Sequence, residues 1–147
     1  MSGHYLAPLP QNVRMAFVFS SRIRFVDTDA SGRIHFSALF RHLEAAEIEF
    51  FRNVGMSYTQ AFETGLSLPR VHVEADYLAE LVYDDEIHIE VQVEKVGQSS
   101  IILLFDVRKV EGAVLAGKGK FVMVCMDRST GRPVPLPHGI REALAKA

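Results

Sequence analysis

Two aspartates separated by one residue lie between a strand-like segment and a glycine turn that is followed by a predicted helix. Asp27 and Asp29 follow the alternating apolar residues 15–25. Gly32 comes next, and a pattern of apolar residues at helical spacing begins near Ser37. A carboxylate that leaves a strand and the free backbone N–H groups that open a helix can converge on one reacting carbonyl carbon. This order of residue types points to acyl transfer.

Periodicity along the rest of the chain predicts the elements that position these aspartates. A long helix begins near Ser37, which is a candidate cap, and stops near Gly55. A short helical turn at 57–64 precedes four strand-like segments at 70–78, 86–96, 100–110 and 114–126, and a terminal helix spans 138–147. Short turns between consecutive strands favour an antiparallel sheet, one face of which can wrap the helix. The sequence therefore predicts an α+β fold.

Length and composition limit the class of protein. The chain has 147 residues, 48% of them hydrophobic, which predicts one domain over residues 1–147 with a loose N-terminal arm at 1–12. A formal charge of −2 provides no electrostatic footprint for nucleic acid or an anionic membrane, and no apolar run is long enough to span a bilayer. One cysteine, Cys125, and the lack of a leader pattern favour the cytoplasm.

Residues 25–32, FVDTDASG, resemble the aromatic-x-D-x-D-x-x-G motif of hotdog-fold acyl-CoA thioesterases of the 4-hydroxybenzoyl-CoA thioesterase type. Phe36 and a helix that contains Glu44 follow in the order of that family. Segments at 74–78, 85–87, 97–100 and 130–133 are similar to its later strands and turns, so the resemblance covers about residues 15–137. It implies a five-stranded antiparallel sheet wrapped around a central long helix. It also implies a homodimer, with a tetramer left open, whose active sites lie between subunits.

The resemblance implies catalytic roles for two residues. Asp29 would act as nucleophile or as general base on water, whereas Asp27 would be structural. The backbone N–H of Phe36 would bind the thioester oxygen at the positive end of the helix dipole. The reaction implied is hydrolysis of an acyl-CoA or acyl-carrier-protein thioester. Because a thiolate leaves readily, one carboxylate and the oxyanion donors are a sufficient set of groups.

Three residues near turns are candidates for binding the substrate. His35 could orient Asp29 or a water, or it could be a partly exposed turn histidine. Lys95 and Ser99 lie at the turn where some relatives hold the phosphates of coenzyme A with a basic cluster, which this turn lacks. The six histidines form no HExxH pair or Cys-His cluster. No metal is predicted, and no cofactor is expected beyond the coenzyme A of the substrate.

Two more positions carry expectations about which way a side chain faces. His72 alternates with valines in a strand, so it could line the acyl pocket together with Glu74 or stand on an exposed face. Glu47 stands where many relatives have an arginine, three residues after Glu44. We expect Glu47 to contact solvent or an interface.

Two other functions compete with hydrolysis. A hotdog hydratase or dehydratase would use Asp29 and His35 as base and acid on the same thioesters. Its D-x-N-P-x-H signature is absent, because Ser31 and Gly32 replace Asn-Pro and the histidine comes one residue late. A non-catalytic acyl-carrier binding protein would keep the pocket, but it would not need Asp29. Release of a free thiol separates hydrolysis from both alternatives.

Overall fold

The computed structural model describes residues 16–147, so the predicted arm at 1–12 lies outside the described residues. Within that part of the chain the elements are β1 Phe17–Arg22, α1 Ala38–Asn53, α2 Tyr58–Glu63, β2 Leu66–Ser67, β3 Arg70–Tyr77, β4 Glu86–Val96, β5 Ser100–Lys109, β6 Val114–Val124, β7 Met126–Asp127 and α3 His138–Ala145. A 3-10 turn, Phe25–Asp27, follows β1. Across 16–147, no helix combines the length and the apolar character that a membrane crossing requires.

Five strands form one sheet in the order β1-β4-β5-β6-β3, and every neighbouring pair is antiparallel. The short strands β2 and β7 pair separately. The chain leaves the sheet after β1, passes through α1, and returns at the opposite edge as β3. The predicted five-stranded antiparallel sheet is confirmed.

The helix α1 packs on one face of this sheet because each strand presents alternate apolar residues to it. Leu39, Leu43, Ala46 and Phe50 of α1 are buried together with Ile89 of β4, Leu103 and Phe105 of β5, and Phe121 of β6. Two glycines of β6 let the helix come close. A Cβ added at Gly119 would lie 2.5 Å from Cδ1 of Leu43, and one at Gly117 would lie 3.6 Å from Leu39. The central helix is therefore seated directly on β6, as the wrapped-helix prediction requires.

Both ends of α1 bear on the sequence predictions. Gly55 adopts a φ of 84°, in the left-handed region that favours glycine, which confirms it as the stop. Ser37 precedes the helix, but its side chain makes no capping hydrogen bond and its backbone is already helical. Ser37 therefore occupies the predicted N-cap position, but its side chain does not cap the helix. The Nδ1 atom of His35 instead accepts a hydrogen bond from the Ser37 N–H at 3.2 Å, which occupies that donor.

A β-bulge in β3 decides which way Arg70 faces. The pairing with β6 shifts between Arg70 and His72, so that Arg70 lies opposite the buried Met123 while His72 lies opposite Val122. Alternation alone would put Arg70 and His72 on the same outer face, but the extra residue turns Arg70 towards α1. There it meets Glu47.

Glu47 is fully buried, at 0% exposure, so the expectation that it contacts solvent or an interface is wrong. Its carboxylate accepts hydrogen bonds from Nε of Arg70 at 2.8 Å and from the hydroxyl of Tyr58. Burial raises the pKa of Glu47, against the opposing effects of Tyr58 and Arg70. The burial of Glu47 could not be predicted from its neighbours in the sequence, because it depends on the bulge that brings Arg70 inward.

Candidate active site

The D-x-D segment forms a small antiparallel ladder that ends where α1 begins. The N–H of His35 donates to the carbonyl of Asp27 at 2.7 Å, and the N–H of Asp29 donates to the carbonyl of Arg33 at 3.0 Å. Gly32 closes the tip with a φ of 80°, which a side chain would oppose. The ladder therefore holds Asp29 and the first residues of α1 on one rigid turn.

The carboxylate of Asp29 is exposed and oriented by Ser31. Its Oδ1 accepts hydrogen bonds from the Ser31 hydroxyl at 2.5 Å and from the Ser31 N–H at 2.8 Å. Both bonds lower the pKa of Asp29, and the bond from the hydroxyl has the larger effect. The nearby His35 and Arg33 also lower this pKa. Asp29 is therefore ionised at neutral pH, and neither bond from Ser31 uses its Oδ2.

A second aspartate in the chain has the same local geometry. Oδ1 of Asp127 accepts from the Ser129 hydroxyl at 2.6 Å and from the Ser129 N–H at 2.7 Å. The Ser129 hydroxyl also lowers the pKa of Asp127. This turn is thus a recurring way to hold an aspartate and does not by itself indicate catalysis. What distinguishes Asp29 is its place on the turn that leads into α1, which begins nine residues later.

The backbone N–H of Phe36 is available as a donor at that helix start. The N–H groups of His35, Ser37 and Ala38 are each used within residues 27–38. Across the described residues 16–147, no hydrogen bond involves the N–H of Phe36. The hydroxyl of Tyr77 contacts the carbonyl oxygen of Phe36, which fixes the next peptide group. An ionised carboxylate and an unused donor at a helix N-terminus therefore share one turn.

Asp27 is the anchor of this turn, and it is buried with only 4% exposure. Its Oδ2 accepts from the N–H of Arg24 at 2.8 Å and lies 2.9 Å from Nε2 of His42. Arg41 contacts its Oδ1 at 3.3 Å. The other ring nitrogen of His42 lies 2.8 Å from the hydroxyl of Ser21, so the network joins β1, the turn and α1.

Sequence reasoning missed His42. The available signal was its position on the buried stripe of α1, between Leu39 and Ala46, where an isolated histidine requires a polar partner. Asp27 lies fifteen positions away, and only the fold shows that the two side chains meet.

We expect Asp27→Asn to lower stability in a pH-dependent way. Burial acts to raise the pKa of Asp27, but the hydrogen bonds from Arg24 and His42 outweigh it and hold the pKa below the ordinary 3.8. The stability from ionised Asp27 is thus present above pH 3.8 and is lost as pH falls through the lower folded-state pKa. The free energy of unfolding at pH 7 should fall by about 1–3 kcal/mol, and its acid-side decline should flatten. Urea unfolding from pH 7 to pH 2 measures both effects, and an unchanged decline would contradict them.

The other predicted binding residues lie in three different places. His35 lies on the turn beside Asp29. The side chain of His72 stands on the outer face of the sheet, 3.2 Å from Glu74, and is directed away from α1. Lys95 lies near the end of β4 and Ser99 in the turn after it, about 30 Å along the strand from Glu86, which pairs with the last residue of β1. Within one chain, His35 therefore lies near Asp29, whereas His72, Lys95 and Ser99 lie away from it.

Comparisons with known proteins identify chains of similar sequence. A family model described as the thioesterase-like superfamily matches residues 23–144. A putative esterase of Aquifex aeolicus is 30% identical over 130 residues, which cover 88% of this chain and 98% of the relative. A 1,4-dihydroxy-2-naphthoyl-CoA hydrolase of Prochlorococcus marinus is 34% identical over 107 residues, which cover 67% of this chain and 69% of that protein.

Solved structures bear on the fold. Slr0204, a 1,4-dihydroxy-2-naphthoyl-CoA thioesterase from Synechocystis, superposes with a TM-score of 0.83 at 19% identity, over 89% of this chain and 96% of that one. The protein AQ1494 of Aquifex aeolicus gives a TM-score of 0.81 at 26% identity, over 87% and 98% of the two chains. Together with the sheet order, these likenesses confirm the predicted hotdog fold.

Proposed function

The chain belongs to the thioesterase-like superfamily, and from this premise we propose that it hydrolyses acyl-CoA thioesters by means of Asp29 and the backbone N–H of Phe36. Thioester hydrolysis is the activity for which several of its relatives are named, including the 1,4-dihydroxy-2-naphthoyl-CoA hydrolase of Prochlorococcus marinus. The observation that supports the residue assignment is the turn that holds an ionised carboxylate beside an unused donor at the start of α1. Asp127 is oriented by a serine in the same way, but it does not lie on the turn that leads to the unused N–H of Phe36.

The proposed mechanism follows from these two groups. The thioester oxygen accepts a hydrogen bond from the N–H of Phe36, which stabilises the negative charge that develops on it. Asp29 then removes a proton from an attacking water, or its Oδ2 attacks the carbonyl carbon directly. Collapse of the tetrahedral intermediate breaks the C–S bond and releases a thiolate, which takes up a proton. In the second route, water must still hydrolyse an acyl-aspartate anhydride.

We propose coenzyme A as the thiol carrier, because the relatives named by substrate act on CoA thioesters. An acyl carrier protein is the alternative. The proposed chemistry requires only a carboxylate, a backbone donor and water, so no cofactor enters it. A cytoplasmic location is also part of the proposal, and it is supported by the single cysteine, Cys125.

We further propose that the chain forms a homodimer through β3. This strand is at the edge of the sheet, so its outer backbone groups have no neighbouring strand within the described chain. Large apolar side chains of β3 and the residues beside it are exposed, among them Val71, Val73, Tyr77 and Leu78. A second copy would cover both the edge and these side chains.

The dimer leads to a prediction for Val73→Lys. We expect the native chain to have the mass of a dimer at micromolar concentration, and the variant to have the mass of a monomer, because lysine on an edge strand opposes pairing. Light scattering during gel filtration measures both masses. The control is Glu63→Lys, which also introduces an exposed lysine, but on α2 and away from the edge strand. A monomeric native chain would contradict the proposal.

The function is tested by a thiol-release screen on the native chain. Benzoyl, hydroxybenzoyl and straight-chain acyl-CoA thioesters are supplied at several lengths, together with an acylated carrier protein. Release of free thiol from at least one thioester, in equal amount to the acid formed, is the expected result. Hydration or dehydration of the acyl group without thiol release would contradict hydrolysis and indicate a hydratase or dehydratase. Tight binding of a thioester without any reaction would indicate a non-catalytic binding protein.

A further inference from the structure

Arg33 lies on the same turn as Asp29, but its guanidinium contacts a different carboxylate. Its Nε atom donates to Oε1 of Glu80 at 2.8 Å. Within the described residues 16–147, no ion pair joins Arg33 to Asp29. The chemistry assigned to Asp29 uses neither Arg33 nor Glu80, so the contact between these two residues calls for a separate explanation.

The backbone places Arg33 between Asp29 and Glu80. On one side, the N–H of Asp29 donates to the carbonyl of Arg33 at 3.0 Å, so these two residues lie opposite each other in the small antiparallel ladder. On the other side, Arg33 pairs with Val82, and Glu80 lies two positions before Val82. Opposite and diagonal neighbours in such a ladder are both within reach of a long side chain. The guanidinium can therefore reach either carboxylate.

The backbone on either side of Glu80 holds this residue in place. The carbonyl of Leu81 accepts a hydrogen bond from the N–H of Ile34 at 2.9 Å, and the N–H of Ala79 donates to the carbonyl of Ala116 at 3.1 Å. Leu81 is also buried in the core. The carboxylate of Glu80 is therefore carried by a fixed segment of the chain that lies beside the turn.

An arginine bound to Asp29 would interfere with both proposed routes of hydrolysis. Ser31 already occupies Oδ1 with two hydrogen bonds, so a guanidinium that approached Asp29 would contact Oδ2. Oδ2 is the oxygen that remains to accept a proton from water or to attack the carbonyl carbon. A carboxylate paired with a cation is a weaker base, because the opposite charge favours its ionised form. The guanidinium would also cover this oxygen.

The charge of Arg33 already acts on Asp29. The bonds from Ser31 lower the pKa of Asp29 most, and the nearby Arg33 lowers it further. The hydrogen bond to Glu80 raises the pKa of Arg33, and Asp29 adds a smaller effect in the same direction. Arg33 and Glu80 are both exposed, and an exposed ion pair has a small free energy. Loss of one charge is therefore enough to change which carboxylate Arg33 contacts.

We propose that Glu80 is a positioning residue, which holds Arg33 away from Oδ2 of Asp29 and so keeps that oxygen available for thioester hydrolysis. The inference rests on the proposed function, because it assigns a role in the reaction of the same site. Glu80 acts only through Arg33. Its loss should therefore impair catalysis only while Arg33 is present.

The test compares Glu80→Gln with the double variant Glu80→Gln/Arg33→Gln, using the thioester that the native chain hydrolyses fastest in the thiol-release screen. Glutamine keeps the size of Glu80 but not its charge, so Arg33 is freed to pair with Asp29. The single variant should lower kcat by about twofold to fivefold, which corresponds to the free energy of one exposed ion pair. The double variant should regain a kcat close to the native value, which a merely structural role of Glu80 would not produce. Arg33→Gln alone should also keep a kcat close to the native value, which completes the cycle.

Salt provides a second measurement. A contact between Arg33 and Asp29 joins exposed charges, so added salt should screen it and restore part of the kcat lost in Glu80→Gln. The matched control is Glu49→Gln, which frees Arg52 from an ion pair of similar exposure near the other end of α1. The control should leave kcat and its response to salt unchanged.

Three outcomes would count against these proposals. A kcat of Glu80→Gln equal to that of the native chain would overturn the inference while thioester hydrolysis stands. A lowered kcat that Arg33→Gln does not restore would also overturn it, because Glu80 would then act through another contact. Absence of thiol release by the native chain from every thioester in the screen would instead refute the proposed function on which the inference rests.

Discussion

Replacing Asp29 by asparagine should lower thioester hydrolysis by about a hundredfold or more, the scale of losing a general base, while the fold stays intact. Asparagine keeps the size of the side chain, and its amide oxygen can still accept the hydrogen bonds that Ser31 donates. It can neither attack the thioester efficiently nor take a proton from water. Steady-state kinetics should therefore show a lower kcat, and thermal unfolding should show little change.

The chain contains its own control for this experiment. Asp127→Asn makes the same change in a similar turn, where the aspartate is also oriented by a serine two residues later. That variant should hydrolyse thioesters as the native chain does, because Asp127 lies on β7 and not on the turn that leads to Phe36 and α1. Equal losses in the two variants would trace the effect to a general change of charge or folding. Undiminished hydrolysis by Asp29→Asn would defeat the site assignment.

Replacing Phe36 by proline should lower kcat by about a hundredfold to a thousandfold, the range found when one oxyanion-hole donor is removed. Proline removes the backbone N–H, and that N–H makes no hydrogen bond to any described residue, so no structural bond is lost. The start of a helix is also where proline is best tolerated. The expected loss is therefore one of catalysis more than of stability.

Phe36→Leu is the matched control for the proline variant. Phe36 is 68% exposed, so leucine should keep the fold, the N–H and much of the activity. Measuring kcat and KM separately distinguishes weaker substrate binding from loss of transition-state stabilisation. A Phe36→Leu variant that is folded and binds substrate but does not turn it over would show that a backbone donor is an inadequate account of this position.

The elements of this fold could be predicted from the sequence because its periodicity is regular. The alternation in β5, where Ile101, Leu103 and Phe105 are buried, marks a strand with one face on the core. The stripe of α1 and the glycine at 55 mark a helix and its end. Short turns between consecutive strands then leave antiparallel pairing as the natural arrangement.

Contacts between distant residues could not be predicted in the same way. The inward position of Arg70 depends on one extra residue in β3, and no period in the sequence reveals that bulge. The burial of Glu47 against Arg70 follows from it. Likewise, His42 and Asp27 meet only because α1 crosses the start of the turn.

Hydrolysis of an acyl-CoA thioester in oxygen-18 water, with products followed by mass spectrometry, tests the central claim most directly. The native chain should release one molecule of free thiol for each molecule of acid formed, and over many turnovers the acid should gain oxygen from the labelled water. An intact thioester that has gained or lost the mass of one water, with no thiol released, would show a hydratase or dehydratase instead. A thioester that stays unchanged while it is bound would show that the chain does not catalyse this reaction.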